Sequence, residues 1–377
     1  MLYLLFADRL SVASPQAQQK DDLHSAMQRR AMLAQYKIVR LTAPIFAPSE
    51  AELRNFAAQG LPVTEVDAEH PDQLIPLLRD ADIVAVVGTK VPTRVVEAMT
   101  KCRAIARMGA GTDKIDVARA TELGIVVANT PYFCVEEQAD HAMAMLLSLA
   151  RKLTVAQNAM AEGDVMRARR AVGSNQRVSA CTLGLVGFGR SAVHTARRAR
   201  GFGMRVLATR NNKNAPTHEA DALGVIMTDL DTILREADYV SLHLPLSAAS
   251  YHMIDGAALR KMKPTACLIN TSRGALVDEP ALIEALQQGR LGGAGIDTYE
   301  MIDIFAEQLS PRLHPLTGVE NVILTPHVAA GSVQAGEDIY TTAIENIVDI
   351  LNGRWPPREN IVNPTVVPRF PLLGEGG

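Results

Sequence analysis

The chain has 377 residues, a length that suits two domains with a hydrophobic core each. Its hydrophobic fraction of 47%, charged fraction of 21% and net charge of −3 are typical of a soluble globular protein and give no indication of a nucleic-acid partner. The basic cluster at 167–170 lies in a mixed stretch with Glu162 and Asp164, which favours a solvated face or an oligomer contact. The cysteines are scattered without a C-x-x-C pair, so we expect neither disulfides nor a metal site, and we interpret them as small core residues in a reducing compartment. They are Cys102, Cys134, Cys181 and Cys267.

The N-terminal run 1–7 is apolar, lacks a basic leader and is short for a signal peptide, so we interpret it as a first strand. Residues 11–34 are rich in Gln, Arg and Ala and predict a helix or a partly ordered extension that the sequence does not place. The longest apolar run elsewhere, 142–150, is far shorter than a membrane span. We therefore expect no membrane partner and a cytoplasmic location.

Short apolar strands alternate with helical segments along most of the chain, which indicates an α/β fold with parallel sheets and helices on both faces. The strands predicted in the first third are 37–41, 63–66, 83–87, 104–107 and 126–128. A long helix is predicted from about Val135 to Leu153, and a final helix near Gly336 to Leu351, before a proline-rich tail. The later strands are 183–186, 205–209, 240–244, 266–270, 293–297 and 322–325.

A glycine-rich turn follows the strand at 183–186 and leads into a helix and a second strand. Gly187 allows the tight turn, and Gly189 lets backbone N–H groups approach a phosphate. Ala192 stands where a third glycine would allow close contact between helix and strand. This pattern alone also fits an ordinary strand–helix turn, but the flanking strands make a βαβ unit of the kind that seats a dinucleotide pyrophosphate on a helix N-terminus.

The residue that closes the second strand indicates which dinucleotide binds. An acidic side chain ordinarily grips the ribose hydroxyls of NAD at this point, whereas this chain has Arg210 followed by Asn211. A carboxylate would repel a 2′-phosphate, and a guanidinium pairs with it through charge-assisted hydrogen bonds. We therefore predict NADP(H) as the preferred cofactor, with NAD(H) as the alternative; a solvated arginine at a strand end is the other interpretation of Arg210.

Two chemically capable side chains follow neighbouring predicted strands. Arg273 can hold a carboxylate with two parallel hydrogen bonds and polarise an adjacent carbonyl. His327 titrates near neutral pH and can give or take one proton. Taken singly, the arginine fits a strand-end salt bridge and the histidine fits a turn-stabilising imidazole. Together with the dinucleotide turn they predict hydride transfer to a 2-oxo acid, because that reaction needs both a carboxylate-binding group and a proton donor.

The chain resembles the D-isomer-specific 2-hydroxyacid dehydrogenases from about Ile83 to Asn352. The resemblance implies two Rossmann-like or flavodoxin-like domains, with a discontinuous substrate domain of residues 1–128 plus 331–377 and a dinucleotide-binding domain of residues 129–330. It also implies an active site in the cleft, and a homodimer that uses the long helix and the segment after it. The motifs that carry the resemblance are 109–116, 129–131, 135–142, 187–192, 270–274 and 325–330.

The resemblance implies specific roles for residues of these motifs. Arg273 is expected to bind the substrate carboxylate and carbonyl oxygen, and His327 to be the general acid for reduction. Backbone N–H groups around Met108, Gly109 and Ala110 are expected to meet the substrate carboxylate. The residues assigned to the cofactor lie in the glycine turn, at the strand ends and on the long helix: Gly187, Phe188, Gly189, Arg190, Ser191, Arg210, Asn211, Leu244, Pro245, Thr271, Ser272, Asp297 and His141.

The third catalytic residue departs from the family pattern. The family carries a glutamate at the position where this chain has Ile302, and the segment that follows, 301–313, contains an insertion whose role the sequence does not settle. The candidates for the carboxylate are Glu300, Asp303 and Glu307, and we favour Glu307 because the residues after it resemble the family's continuation. A second register puts Gln308 in that position, as in formate dehydrogenases; all three acids also fit ordinary loop residues.

The leading functional hypothesis is NADPH-dependent reduction of a small 2-oxo acid, such as glyoxylate, hydroxypyruvate or a bulkier acid, to a D-2-hydroxy acid. A second hypothesis is a dinucleotide-controlled regulatory protein, because residues 134–140 also resemble the C-terminal-binding-protein corepressors. A third is a formate-dehydrogenase-like enzyme, indicated by Gln308 alone.

Overall fold

The computed structural model describes residues 27–42, 47–68, 70–302 and 314–374. The predicted strand at 1–7 lies outside these residues, and of the extension at 11–34 only the helical stretch 27–33 lies within them. Among the described helices, none is both long and apolar enough to cross a membrane.

The chain divides into two compact units. The first comprises Met1–Met108, Lys114–Asn129 and Tyr340–Gly377, and the second comprises Gly109–Asp113 and Thr130–Ile339. The boundaries therefore differ from the expected ones, because two short segments group with the second unit.

Both segments make hydrogen bonds within the second unit. The N–H of Gly109 donates to Oγ1 of Thr130 at 2.8 Å. The side chain of Asp113 accepts a hydrogen bond from Arg273. Near the other boundary, Ser332 donates its hydroxyl to Glu137 at 2.6 Å.

The first unit is built on a sheet of five parallel strands. The strands are β1 (Ile38–Thr42), β2 (Val63–Asp67), β3 (Ile83–Val86), β4 (Ala104–Arg107) and β5 (Val126–Ala128), in the order β2-β1-β3-β4-β5. The helices between them are α1 (Glu50–Ala58), α2 (Pro71–Leu78), α3 (Thr93–Ala98) and α4 (Val117–Glu122). Every residue of β1 and β3 is buried, as expected for parallel strands covered on both faces. This strand order is that of flavodoxin-like folds.

The second unit contains a parallel sheet of seven strands. The strands are β6 (Thr182–Val186), β7 (Arg205–Thr209), β8 (Ile226–Met227), β9 (Tyr239–Leu242), β10 (Cys267–Asn270), β11 (Gly293–Ile296) and β12 (Val322–Leu324), in the order β12-β11-β10-β9-β6-β7-β8. This is the doubly wound order of dinucleotide-binding folds, and the direction of winding reverses between β6 and β9. The expected α/β fold with two parallel sheets is confirmed.

The helices that complete the chain begin with the long helix predicted after β5. They are α5 (Val135–Arg151), α6 (Leu153–Ala161), α7 (Val165–Ala171), α8 (Arg190–Gly201), α9 (His218–Ala222), α10 (Leu230–Glu236), α11 (Gly256–Lys261), α12 (Glu279–Gln287) and α13 (Val333–Leu351). The expected helix to Leu153 is interrupted because Lys152 adopts a left-handed conformation, φ +52°. The segment after it, expected to form a dimer arm, is therefore a separate pair of helices, on which Leu153, Met160 and Met166 are exposed.

Two glycines let helices approach the second sheet closely. A Cβ at Gly184 in β6 would overlap the side chain of Ile233 on α10, and one at Gly295 in β11 would lie 2.9 Å from Sδ of Met145 on α5. Side chains of α10 to α12 form one buried cluster with the sheet, and those of α5 and α8 form another. These two layers fix the strands whose carboxyl ends carry the predicted site.

Candidate active site

The turn after β6 has the conformation that its first glycine was expected to allow. Gly187 has φ +95°, and its N–H donates to the carbonyl of Thr209 at 3.0 Å. A Cβ at this position would overlap the carbonyl oxygen of His243. A side chain is therefore excluded, since both the backbone conformation and the contact with the end of β9 require glycine.

The N-terminus of α8 offers backbone donors to an anion. Gly189 is its N-cap residue, and a Cβ built there would have no described atom within 4 Å. The helix has no side-chain cap among the described residues, so its first-turn N–H groups are not used by a capping side chain. An open glycine turn that leads into an uncapped helix fits a dinucleotide pyrophosphate.

Ser191, in the first turn of α8, contacts a buried histidine. Its Oγ lies 3.2 Å from Nδ1 of His243, and Oγ of Ser241 lies 2.9 Å from Nε2 on the other side of the ring. His243 is 6% exposed, and burial lowers its pKa to about 4. The imidazole is therefore neutral at physiological pH and packs beneath the glycine turn. This residue was not predicted from the sequence, although its position directly after a buried strand was a usable signal.

The other residues assigned to the cofactor, in the turn and after β9, contact other parts of the protein. The guanidinium carbon of Arg190 lies 3.7 Å from the ring centroid of Tyr132, which is a cation–π contact. Phe188 and Leu244 are partly buried and pack against the two clusters of the second unit. Pro245 is exposed, and its carbonyl accepts a hydrogen bond from a serine hydroxyl at 2.9 Å.

Arg210 follows β7 as predicted and is held by the loop that it begins. Its guanidinium donates to the carbonyls of Ala215 and Pro216, the second at 3.0 Å. Asn211 beside it is exposed. The guanidinium is thus kept at the end of β7, where the ribose of a dinucleotide would lie.

The backbone that carries Arg273 is fixed at the end of β10. Its carbonyl accepts a hydrogen bond from the side chain of Asn270 at 2.8 Å, and Ser272 donates its hydroxyl to the carbonyl of Leu242 at 2.7 Å. A Cβ at Gly274 would overlap the backbone of Tyr299. The hydroxyl of Ser272 therefore helps to fix this strand end.

Thr271 has a feature that fits a bound nicotinamide nucleotide. Its Oγ1 is buried and has no hydrogen-bond partner among the described residues. Its carbonyl accepts a hydrogen bond from Nε2 of Gln138 on α5 at 2.8 Å, so the residue is fixed in place. A buried hydroxyl without a partner is costly unless a ligand completes it.

The carboxylate of Asp297 supports the turn that carries His327. Asp297 is fully buried and accepts hydrogen bonds from the hydroxyl of Thr325 at 2.6 Å and from the N–H groups of Val328 and Ala329 at 2.9 and 3.0 Å. Both of its oxygens thus accept hydrogen bonds from this turn. His141 lies beside it, with Nε2 3.0 Å from Oγ1 of Thr325.

Backbone hydrogen bonds join three neighbouring strand ends. The N–H of Asp297 donates to the carbonyl of Asn270 at 3.0 Å, and the N–H of His327 donates to the carbonyl of Asp297 at 2.9 Å. His327 has φ +56°, a left-handed conformation that costs a non-glycine residue of the order of 1 kcal/mol. The ends of β10, β11 and β12, and with them Arg273 and His327, are therefore on one edge of one sheet.

The candidates for the third catalytic residue have different outcomes. Glu300 is engaged with other residues: it accepts a hydrogen bond from the hydroxyl of Tyr251 at 3.1 Å and lies 2.7 Å from Nε2 of His252. Asp303, Glu307 and Gln308 lie outside the described residues.

The buried side chain of Glu279, which was not predicted from the sequence, joins the segment after β11 to the segment before β12. Oε2 of Glu279 accepts the N–H groups of Glu300 and Met301, both at 2.8 Å, and Oε1 pairs with Nε2 of His314. Nδ1 of His314 accepts the N–H of Leu316 at 3.2 Å. The pattern Asp278–Glu279 at the start of a helix indicated only a cap, which Asp278 supplies.

Two of the three backbone donors expected to meet the substrate are used by the chain. The N–H of Met108 donates to the carbonyl of Val86 at 2.8 Å, and the N–H of Gly109 donates to Thr130. Ala110 is exposed. Of the residues assigned to the substrate carboxylate, the side chain of Arg273 is the one with a charge to offer.

The cysteine thiols have raised pKa values and are poor nucleophiles. Burial raises the pKa of Cys102, Cys134 and Cys267 to about 12, and it also raises that of Cys181. In the part of the chain that the structure describes, no group of three or more His, Cys, Asp or Glu side chains could hold a metal ion.

Comparison with known proteins identifies the family. The family model for the D-isomer specific 2-hydroxyacid dehydrogenase, NAD binding domain, matches residues 143–329. The glyoxylate reductase of Korarchaeum cryptofilum (strain OPF8) is 39% identical over 296 residues, which cover 78% of this chain and 86% of that protein.

Two solved structures have closely similar folds. A glyoxylate reductase from Paecilomyes thermophila has a TM-score of 0.74 at 26% identity and covers 87% of this chain and 98% of its own. The acyclic imino acid reductase Bsp5, in complex with NADPH and D-Arg, has a TM-score of 0.73 at 27% identity and covers 86% of this chain and 99% of its own. The resemblance found in the sequence is thereby confirmed: the chain belongs to the D-isomer specific 2-hydroxyacid dehydrogenases and is an NAD(P)-dependent enzyme of that family.

Proposed function

We propose that this enzyme reduces a small 2-oxo acid to the D-2-hydroxy acid with NADPH, with Arg273 as the carboxylate-binding residue and His327 as the general acid. The observation that carries the proposal is the pair of backbone hydrogen bonds that joins the ends of β10, β11 and β12. It fixes the backbones of both residues on the sheet edge at which doubly wound folds bind their ligands.

Arg273 supplies the positive charge for the substrate. Its side chain is 27% exposed, so its guanidinium is accessible while its backbone is held at the strand end. A guanidinium binds a carboxylate through two parallel hydrogen bonds and polarises the neighbouring carbonyl oxygen. Arg273 therefore orients the 2-oxo acid and stabilises negative charge that develops on the carbonyl oxygen.

His327 supplies the proton. During reduction an imidazolium N–H of His327 protonates the carbonyl oxygen, and in the reverse direction the neutral ring accepts that proton. The left-handed backbone and the bonds of Val328 and Ala329 to Asp297 limit the directions in which the ring can point. Such strain at a chemically active residue is typical of functional sites.

The nucleotide that the family uses would be held by residues whose geometry fits it. The N-terminus of α8 after Gly189 would hold the pyrophosphate, and the hydroxyl of Thr271 would gain the partner that it lacks among the described residues. Arg210 would bind the 2′-phosphate, which supports NADPH over NADH. When bound, the nicotinamide supplies the hydride that reduces the carbonyl carbon.

The substrate is proposed from the relatives. The protein from Korarchaeum cryptofilum and the structure from Paecilomyes thermophila are both glyoxylate reductases. Glyoxylate is the smallest 2-oxo acid, and its recognition requires no residues beyond the carboxylate-binding arginine and the proton donor described above. We therefore expect turnover of glyoxylate, with hydroxypyruvate as the next substrate to compare.

The function is tested by following NADPH oxidation with a panel of 2-oxo acids. We expect the wild-type enzyme to reduce at least glyoxylate and the variant His327→Asn to lose about 100-fold or more in kcat, because asparagine tolerates the left-handed backbone but provides no titrating proton. His218→Asn, at an exposed position on α9, is the control and should match the wild type. Absence of turnover with every 2-oxo acid, or an active His327→Asn, contradicts the proposal.

Cofactor preference is tested at Arg210. The variant Arg210→Ala should raise the KM for NADPH about tenfold and leave the KM for NADH within about twofold, because only NADPH carries the 2′-phosphate. Arg205→Ala, at the opposite end of β7 and paired with Glu236, is the matched control. An equal effect of Arg210→Ala on both nucleotides would refute the assignment of this residue to the phosphate.

A further inference from the structure

The side chain of Arg273 is long and would be free to rotate without a partner, although its backbone is fixed. Its Nε donates to Oδ1 of Asp113 at 3.0 Å, and its Nη1 donates to the carbonyl of Ser272 at 2.7 Å. Asp113 belongs to the short segment Gly109–Asp113 that groups with the second unit. The carboxylate thus reaches the guanidinium from a different part of the sequence.

Gly111 makes room for this arrangement. A Cβ at Gly111 would overlap Nη2 and lie 2.8 Å from Cζ of Arg273. It would also lie 2.9 Å from Oδ1 of Asp113. The backbone at 111 therefore forms one face of the position that the guanidinium occupies, and only glycine leaves that position open.

We propose that Asp113 is a positioning residue that orients Arg273 for the 2-oxo acid; the inference rests on the proposed function. Because Asp113 takes the Nε–H, the guanidinium presents its Nη1–Nη2 end to the substrate carboxylate. A guanidinium has five N–H donors, so Asp113 and Ser272 can hold it while it still binds a carboxylate through two hydrogen bonds.

The ion pair between Arg273 and Asp113 is partly exposed, so it can orient the guanidinium without contributing much to the stability of the fold. The side chains of Arg273 and Asp113 are 27% and 38% exposed. Ion pairs with this degree of solvent access contribute little to the free energy of unfolding. A freely rotating arginine, in contrast, loses rotamer freedom each time it binds substrate, and a misplaced catalytic group costs a large factor in rate. The variants should therefore change catalysis and not the unfolding temperature.

The test compares four variants in the full-length enzyme. Asp113→Ala removes the acceptor, Asp113→Asn keeps an oxygen acceptor, and Gly111→Ala displaces the guanidinium. Asp231→Ala is the control, since Asp231 is 37% exposed and pairs with Arg235 and Lys261 on α10 and α11. We expect Asp113→Ala and Gly111→Ala to raise the KM for the 2-oxo acid about tenfold or more, with Kd for the nucleotide within about twofold. Asp113→Asn should restore KM to within about threefold of the wild type.

A second readout does not depend on turnover. Labelling of Arg273 by phenylglyoxal, followed by mass spectrometry of its peptide, should be several-fold faster in Asp113→Ala and Gly111→Ala than in the wild type, Asp113→Asn or Asp231→Ala. Equal labelling rates overturn the proposal even if the enzyme is active. Faster labelling in an enzyme that reduces no 2-oxo acid would instead contradict the proposed function. A KM for Asp113→Ala equal to that of Asp231→Ala also overturns the positioning role.

Discussion

At the scale of single residues, burial decides the charge of His243. The ring lies between the hydroxyls of Ser191 and Ser241, and its burial lowers its pKa. An ionised imidazole here would have to leave water without a counter-charge. The residue beneath the dinucleotide turn is therefore a neutral spacer that donates or accepts one hydrogen bond on each side.

This burial predicts a pH dependence of stability. The folded-state pKa of His243 is about 4 and its ordinary value is 6.5, so the unfolded chain takes up a proton first as the pH falls. The free energy of unfolding therefore falls by about 3 kcal/mol as the pH decreases from 6.5 to 4, and above pH 6.5 this loss is absent. The measurement is the free energy of unfolding in urea across this range for the wild type and His243→Asn.

The variant should have a flatter profile between these pH values than the wild type, whereas His218→Asn, at an exposed position, should follow the wild type. Parallel profiles for all three proteins would show that His243 does not titrate differently in the folded and unfolded states.

Some features of single residues in the site could be predicted from the sequence and others could not. The position of Arg273 and His327 at the ends of neighbouring strands could be predicted, because the hydrophobic pattern locates those strand ends. The role of Asp297 could not, because its three hydrogen bonds come from residues 325, 328 and 329, which only the fold brings to it. The same is true of Asp113, whose partner lies 160 positions away in the sequence.

At the scale of secondary structure, the carboxylate of Glu279 ties the start of α12 to the two segments that follow β11 and precede β12. Glu279 and His314 are each buried, with side chains 6% exposed. Because Nδ1 of His314 accepts the N–H of Leu316, Nε2 is the nitrogen that donates to Glu279. The ring of His314 also packs on Tyr299, with centroids 5.1 Å apart, and the hydroxyl of Tyr299 donates to the carbonyl of Thr325 at 2.9 Å.

The variant Glu279→Ala should lower the free energy of unfolding by about 3 kcal/mol, because the buried imidazole N–H of His314 and two backbone N–H groups lose their acceptor at once. Urea denaturation measures the difference. Glu284→Ala on the same helix is the matched control, since Glu284 is 62% exposed and its ion pair with Arg290 contributes little. If both variants unfold at the same urea concentration, the buried carboxylate is not a structural link.

Elements were predictable where hydrophobic pattern alone defines them. Each strand predicted within the described residues is present, with its ends displaced by at most a few positions. The strand β8 was missed because it has only two residues, one of them exposed. The division of the long helix at Lys152 was missed because nothing in the local pattern requires a left-handed residue there.

At the scale of the whole molecule, the alternation of strands and helices was enough to predict two parallel sheets, because each connection between consecutive strands from β1 to β11 contains a helix. Which chain segments belong to which of the two units was harder to predict from the sequence. Gly109–Asp113 is flanked on both sides by residues of the other unit, yet it groups with the second unit, where it contacts Thr130 and Arg273. Such contacts have no signature in a linear pattern.

The buried thiols have a practical consequence for work on this enzyme. Because burial raises the pKa of Cys102, Cys134 and Cys267 to about 12 and also raises that of Cys181, these thiols are protonated at neutral pH. Purification and assays should therefore need no reducing agent. A cysteine introduced at an exposed site would react with a maleimide dye far ahead of the native ones, which makes the wild-type chain itself a suitable background for site-specific fluorophores.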